Sequence, residues 1–187
     1  MTALLRILVL AGTGWLFFQI LVFGRRIRGN PLGIPPVGKA ALLLAKLGAA
    51  ISFFLVVLKA IGGPWQLSKS AAVVFICLWI AGNLIFTMGM SRLGVNLRVG
   101  LPQEETTLIR SGVYSFSRNP IYVGMYLLMC GSLVAAFSWL NLGAVVTSVV
   151  LHHRIILAEE RFLVAQFEDY KAYCSAVRRY WGRRSRR

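Results

Sequence analysis

The sequence predicts an all-α polytopic membrane protein of about five transmembrane helices. Three observations predict it. The 187 residues are 57% hydrophobic and only 14% charged, with mean hydropathy +0.68, whereas a soluble domain carries about 25% charged residues. Apolar runs near 20 residues recur along the chain, and about 20 residues of helix cross a ~30 Å hydrocarbon core. The basic residues collect in alternate connections, as the positive-inside rule requires.

The first run, Ala3–Phe23, is broken only by Arg6 and Gln19. It exceeds the apolar region of a signal peptide, and Arg25, Arg26 and Arg28 follow it, the wrong flank for cleavage. It is read as a retained span. The second, Ala40–Ile61, contains Lys46 and Lys59, whose long stems can carry their ammonium groups toward an interface. The third is Ala71–Met90, the fourth Ile121–Leu140 and the fifth, shortest run Asn141–Leu157. Only Ser138-Trp139-Leu140-Asn141 separates the last two, which predicts a tight antiparallel hairpin. Beyond it, Phe162, Leu163, Phe167, Tyr170, Tyr173 and Val177 keep helical spacing, so an amphipathic helix is expected on the membrane surface. One membrane-embedded domain covers 1–187, with three N-terminal spans in 1–90 and the chemistry in 91–187.

The formal net charge is +15. No soluble basic domain carries it, so anionic membrane lipids are the expected partners and nucleic acid is not. The connections at 24–39 and 91–120 and the segment after the fifth run are arginine-rich, while 62–70 holds only Lys69. That pattern predicts the N-terminus outside and the C-terminus in the cytosol, and the membrane is expected to be of prokaryotic inner-membrane type. The connector Gly29–Pro36 reads as irregular, the 91–110 loop as functional or disordered, and Arg183, Arg184, Arg186 and Arg187 as a mobile, headgroup-contacting end.

Two stretches carry chemistry. In Arg118-Asn119-Pro120 a helix begins, with Asn119 a natural N-cap and Pro120 suited to the first turn. Tyr122 lies about one turn later. Glu159-Glu160 stand where the fifth run meets the surface. Adjacent carboxylates there require a cation or hydrogen-bond donors. The hairpin brings the two stretches to one membrane face. His152 shares a helix face with both carboxylates, whereas His153 diverges by ~100° and cannot readily chelate the same ion. Cys77, Cys130 and Cys174 match no metal-binding spacing; the first two are expected to be packing residues. No metal site is expected.

Gly112-Val113-Tyr114, Arg118-Asn119-Pro120-Ile121-Tyr122-Val123-Gly124, a hairpin, and Glu159-Glu160-Arg161-Phe162-Leu163 together resemble the isoprenylcysteine carboxyl methyltransferase family, especially its bacterial and archaeal members, and beyond it the phospholipid N-methyltransferases. The resemblance covers residues 91–180. It implies S-adenosylmethionine as cofactor and a lipophilic or lipidated acceptor. It implies cofactor binding by Tyr114, Arg118, Asn119, Pro120, Tyr122, Glu159 and Glu160, and catalytic roles for Tyr122 and for Arg154 near substrate. Asn119 stands where eukaryotic members have histidine. Phe167-Glu168-Asp169-Tyr170 is one residue shorter than the family's motif and lacks its glycine.

An acceptor carboxylate, with a reference pKa near ~4, needs no base; a thiol or amine acceptor would, and His152 is the candidate. The rival readings are a phospholipid or small-amine N-methyltransferase, a non-catalytic membrane scaffold, and a membrane reductase.

Overall fold

The described residues of the computed structural model are 2–25, 36–62, 65–94 and 107–183. They form α1 (Thr2–Gly24), α2 (Lys39–Gly62), α3 (Lys69–Leu93), a 3-10 turn (Gly112–Ser115), α4 (Pro120–Ala135), α5 (Trp139–Gln166) and α6 (Tyr170–Ala176). Among them the only extended pairing is an isolated bridge between Val177 and Arg183. By length and composition α1, α2, α3 and α5 can cross a membrane. Phe17, Leu43, Phe54, Val73 and Leu84 are exposed on their outer faces, a surface that suits lipid and not water. The fold is an all-α polytopic membrane protein.

Neighbouring helices alternate in direction. α1 runs parallel to α3, with Trp79 Nε1 donating to Leu8 O at 3.0 Å and Trp15 Nε1 to Thr87 Oγ1 at 3.0 Å. α2 runs antiparallel to α5, and Ser148 Oγ donates to Ala45 O at 2.8 Å. The α3–α4 pair is the closest. A Cβ added at Gly124 would lie 2.6 Å from Phe86 N and 2.8 Å from Gly82 O, so glycine at 82 and 124 lets two backbones meet. Without a hydrophobic force between helices in lipid, such close packing is a main source of association. Trp79, Phe75, Leu128, Val56 and Val9 fill the core among α1–α4.

Three sequence expectations need correction. The fourth run does not continue to Leu140: α4 is 16 residues, about 24 Å at 1.5 Å per residue and short of a ~30 Å core. The turn lies at 136–138 and not at 138–141. Asn141, already inside α5, donates from Nδ2 to Ala136 O at 3.0 Å and Ser132 O at 3.2 Å. It thereby satisfies the end of α4, while Ser138 Oγ caps α5 through Asn141 N at 3.0 Å. The C-terminal amphipathic helix is not continuous either. α5 runs through both glutamates to Gln166, breaks at Phe167, and α6 adds seven residues whose Tyr170 and Tyr173 pack with Val177 and Leu108. Lastly, Cys77 and Cys130 are exposed on the helix surfaces instead of packed within.

The Gly29–Pro35 part of the first connector, residues 95–106 of the 91–110 loop, and Arg184, Arg186 and Arg187 lie outside the described residues. Arg183 is described and engaged, with Nε donating to Ser115 O at 3.3 Å.

Candidate functional site

At the end of the bundle where α5 emerges and α4 begins, four segments converge. The 3-10 turn leads into α4. Gly112 within it has φ +64°, a left-handed conformation that favours glycine; the Arg92 guanidinium packs over it. The turn buries Tyr114, whose carbonyl accepts from Tyr173 Oη at 2.5 Å. Burial, with Tyr173 and Glu159 nearby, pushes the Tyr114 phenol up from its ordinary range. Burial does the same to Tyr170 and Tyr173. All three stay neutral and keep their protons at physiological pH.

Arg118 is the hub. It is 9% exposed, and its guanidinium donates to Glu160 from Nε to Oε1 at 3.0 Å and from Nη2 to Oε2 at 3.1 Å. Nη1 donates to Val177 O at 2.7 Å and Cys174 O at 3.2 Å. One side chain therefore joins α4, α5 and the segment after α6. The bidentate geometry is what the planar guanidinium suits.

Glu160 is crowded with donors. Besides Arg118 it accepts from Asn119 Nδ2 at 3.1 Å and from Arg179 Nε at 2.9 Å, and Arg179 Nη2 lies 2.8 Å from Oε2. The Glu160 hydrogen bond raises the Arg179 pKa further, so Arg179 stays charged. Asn119 does occupy the N-cap position of α4, and its carbonyl accepts from Val123 N at 3.1 Å. Its side chain, expected to cap the helix, makes no capping bond and turns to Glu160 and to Arg179 O instead. A buried carboxylate offers a charged partner and outcompetes the helix amides.

Glu159 differs from its neighbour. It is half-buried and, among the described residues, accepts only from Tyr122 Oη, 3.2 Å from each carboxylate oxygen. These residues leave most of its acceptor capacity open. The Tyr122 ring lies 5.6 Å from that of His152. His152 Nδ1 is 2.9 Å from Ser148 O and 3.1 Å from Ser148 Oγ. A carbonyl only accepts, so Nδ1 carries the proton and Nε2 presents a lone pair. His153 bonds the Tyr180 hydroxyl.

The structure thus brings together Tyr114, Arg118, Asn119, Pro120, Tyr122, Glu159 and Glu160. It does not bring in Arg154, which is exposed and lies about 140° and 120° around α5 from Glu159 and Glu160 at ~100° per residue. The five- and six-residue separations preclude a shared face. Ser117 bonds Asn119 N, Arg179 bonds Glu160 and Tyr180 bonds His153, contacts that the sequence pattern does not single out. Arg179 looked like one more cation in a basic tail, and only the fold-back of 177–183 distinguishes it. Among the described residues no group of three histidine, cysteine or acidic side chains could hold a metal ion.

A family model for phospholipid methyltransferases matches residues 70–170, from the start of α3 to the start of α6 and more than half of the chain. The chain belongs to the phospholipid methyltransferase family. That family includes isoprenylcysteine methyltransferases, so the motif resemblance falls inside it. Membership makes the protein a membrane methyltransferase. The matched span holds both walls of the site, Arg118–Tyr122 and Glu159–Glu160. No curated protein sequence matches the chain.

Proposed function

We propose that this membrane methyltransferase uses S-adenosylmethionine and transfers its methyl group to an acceptor that partitions into the bilayer. The observation that carries the reading is the inequality of the two glutamates. Glu160 is saturated by Arg118, Arg179 and Asn119, whereas Glu159 has a single donor, Tyr122, among the described residues. A carboxylate with open acceptor sites suits an ammonium or ribose hydroxyls, and S-adenosylmethionine carries both.

In this reading Glu159 holds the cofactor. Tyr114 and Pro120 line the wall beside it, and Tyr122 orients the Glu159 carboxylate. Arg118, Asn119 and Glu160 position that wall without spending donors on the cofactor. When bound, the cofactor supplies an electrophilic methyl on a sulfonium. The protein's main task is alignment, because in-line displacement depends on a near-attack arrangement. For the acceptor we take a carboxylate of isoprenylcysteine type, the chemistry that the motifs resemble; it arrives ionised and needs no base. The cofactor is taken from the cytosol, which follows from the charge pattern of the loops.

Amine N-methylation is the second reading, and His152 favours it. Its Nδ1–H is committed to Ser148 O, and a base on Nε2 beside Tyr122 is of use only to an acceptor that carries a proton.

Titration calorimetry with S-adenosylhomocysteine tests the cofactor. Glu159→Gln should weaken binding by about tenfold or more, since a charge-assisted contact is worth ~1.5–3 kcal/mol. Unchanged affinity would refute the assignment. Labelled cofactor with a native lipid extract tests the acceptor: label in base-labile esters supports the carboxylate, and label in stable amines supports the second reading.

A further inference from the structure

Residues 177–183 lie beyond the span shared with the family, which ends at 170. They form a hook with two different faces. Arg178 N donates to Gly182 O at 2.8 Å, Gly182 N to Phe116 O at 2.7 Å, and Arg178 O accepts from Arg118 N at 3.2 Å. Val177 bridges Arg183, and Gly182 takes φ +100° to close the turn. The inward face carries Arg179 on Glu160 and Tyr180 on His153. The outward face carries Arg178, Trp181 and Arg183, all exposed.

Trp181 is 57% exposed and Phe116, four residues before α4, is 50% exposed. The Arg183 guanidinium lies 5.7 Å from the Phe116 ring centre. Aromatic rings beside arginines at the end of a membrane-crossing bundle are the composition of a headgroup-level contact. The acidic residues nearby do not neutralise this face. Glu160 is held internally and Asp169 pairs with Arg110 at 3.2 Å, so among the described residues from 168 to 183 Glu168 alone remains against Lys171, Arg178 and Arg183. With a net charge of +15 on the chain, the complementary occupant is an anionic lipid headgroup.

We infer that the hook is an anionic-lipid sensor: its outer face binds lipid phosphate through Arg178 and Arg183 with Trp181 seated at the interface, and its inner face transmits that engagement to the site through Arg179. The two faces share one hydrogen-bonded turn, so a headgroup that holds the hook down also holds Arg179 on Glu160 and the α4 start in place. Headgroup binding and cofactor binding then favour the same arrangement and must reinforce each other reciprocally. The lipid contact stands independently of the proposed cofactor; the coupling rests on that reading.

Two measurements on the full chain in nanodiscs test this. The first uses tryptophan quenching by brominated phosphatidylglycerol and brominated phosphatidylcholine. The wild type should be quenched more by the anionic lipid, and the excess should vanish in Trp181→Phe and shrink in the Arg178→Gln/Arg183→Gln double variant. Equal quenching by the two lipids, or an excess that survives Trp181→Phe, overturns the headgroup site. The second is the S-adenosylhomocysteine Kd in phosphatidylcholine discs with and without phosphatidylglycerol. Anionic lipid should tighten it by on the order of fivefold, and the double variant should lose the response while binding in phosphatidylcholine as the wild type does. Wild-type binding that is equal in both lipids overturns the coupling. Binding in neither overturns the cofactor assignment and the coupling with it, leaving the headgroup site to the quenching result.

Discussion

Replacing Arg118 with alanine separates a strut from a ligand. Among the described residues its guanidinium makes internal contacts: two to Glu160, one to Cys174 O and one to Val177 O. Removing one partner of a buried ion pair costs roughly 3–5 kcal/mol, because the other charge is left stranded. Arg179 and Asn119 remain on Glu160, so the lower end, about 3 kcal/mol, applies. That equals about a 150-fold shift, at RT ≈ 0.59 kcal/mol, toward the state with the C-terminal segment released. Amide hydrogen exchange reads it directly: protection at Val177, Arg178 and Gly182, whose amides bond Tyr173 O, Gly182 O and Phe116 O, should fall by about that factor while the α3–α4 core stays protected. Cofactor affinity should fall with it, since the wall is lost. Arg118→Lys restores charge but not the fork and should recover only part. Unchanged exchange at 177–182 together with abolished S-adenosylhomocysteine binding would refute the strut and make Arg118 a direct ligand.

Other substitutions probe different links. Tyr122→Phe removes the one donor that the described residues place on Glu159 and should weaken S-adenosylhomocysteine binding by roughly 2–10-fold, from a hydrogen bond of about 0.5–1.5 kcal/mol, with little change in thermal stability. His152→Gln should leave the cofactor Kd within about twofold. It should lower turnover of an amine acceptor by ~10²–10⁴ and leave a carboxylate acceptor nearly untouched. Comparing labelled products from the two acceptor types checks this. Gly124→Val puts carbon 2.6 Å from Phe86 N and should destabilise by ~1–3 kcal/mol or more through overpacking, read as a lower melting temperature. Gly131→Ala, with its nearest neighbour at 3.6 Å, should be tolerated.

Much of this architecture is legible in hydropathy. α1, α2 and α3 fall within a few residues of their apolar runs, because a membrane leaves the backbone no option but internal hydrogen bonding. The hairpin was legible as well, and with it the meeting of Arg118–Tyr122 with Glu159–Glu160. The place of its turn was not. Ser138-Trp139-Leu140-Asn141 reads as a loop by composition, but Asn141 turns back to bond Ala136 O, a contact made across the turn and invisible to local pattern. Arg154 is the converse case: the motif resemblance implies a place near substrate, and the phase of α5 sets it on a different helix face from Glu159 and Glu160.

By itself, then, the amino-acid order determined the class of protein, the places of its first three long helices and which polar residues reach the same end. Those follow from the transfer of apolar groups into lipid, a property that sums along the chain. Tertiary structure alone decided the division of labour at the site. Whether a carboxylate is saturated depends on which donors arrive from elsewhere. Arg179 reaches Glu160 only because residues 177–183 fold back against Ser115–Arg118. Two adjacent glutamates of identical chemistry therefore differ in surroundings: Glu160 ties three segments together, and Glu159 meets Tyr122 alone among the described residues.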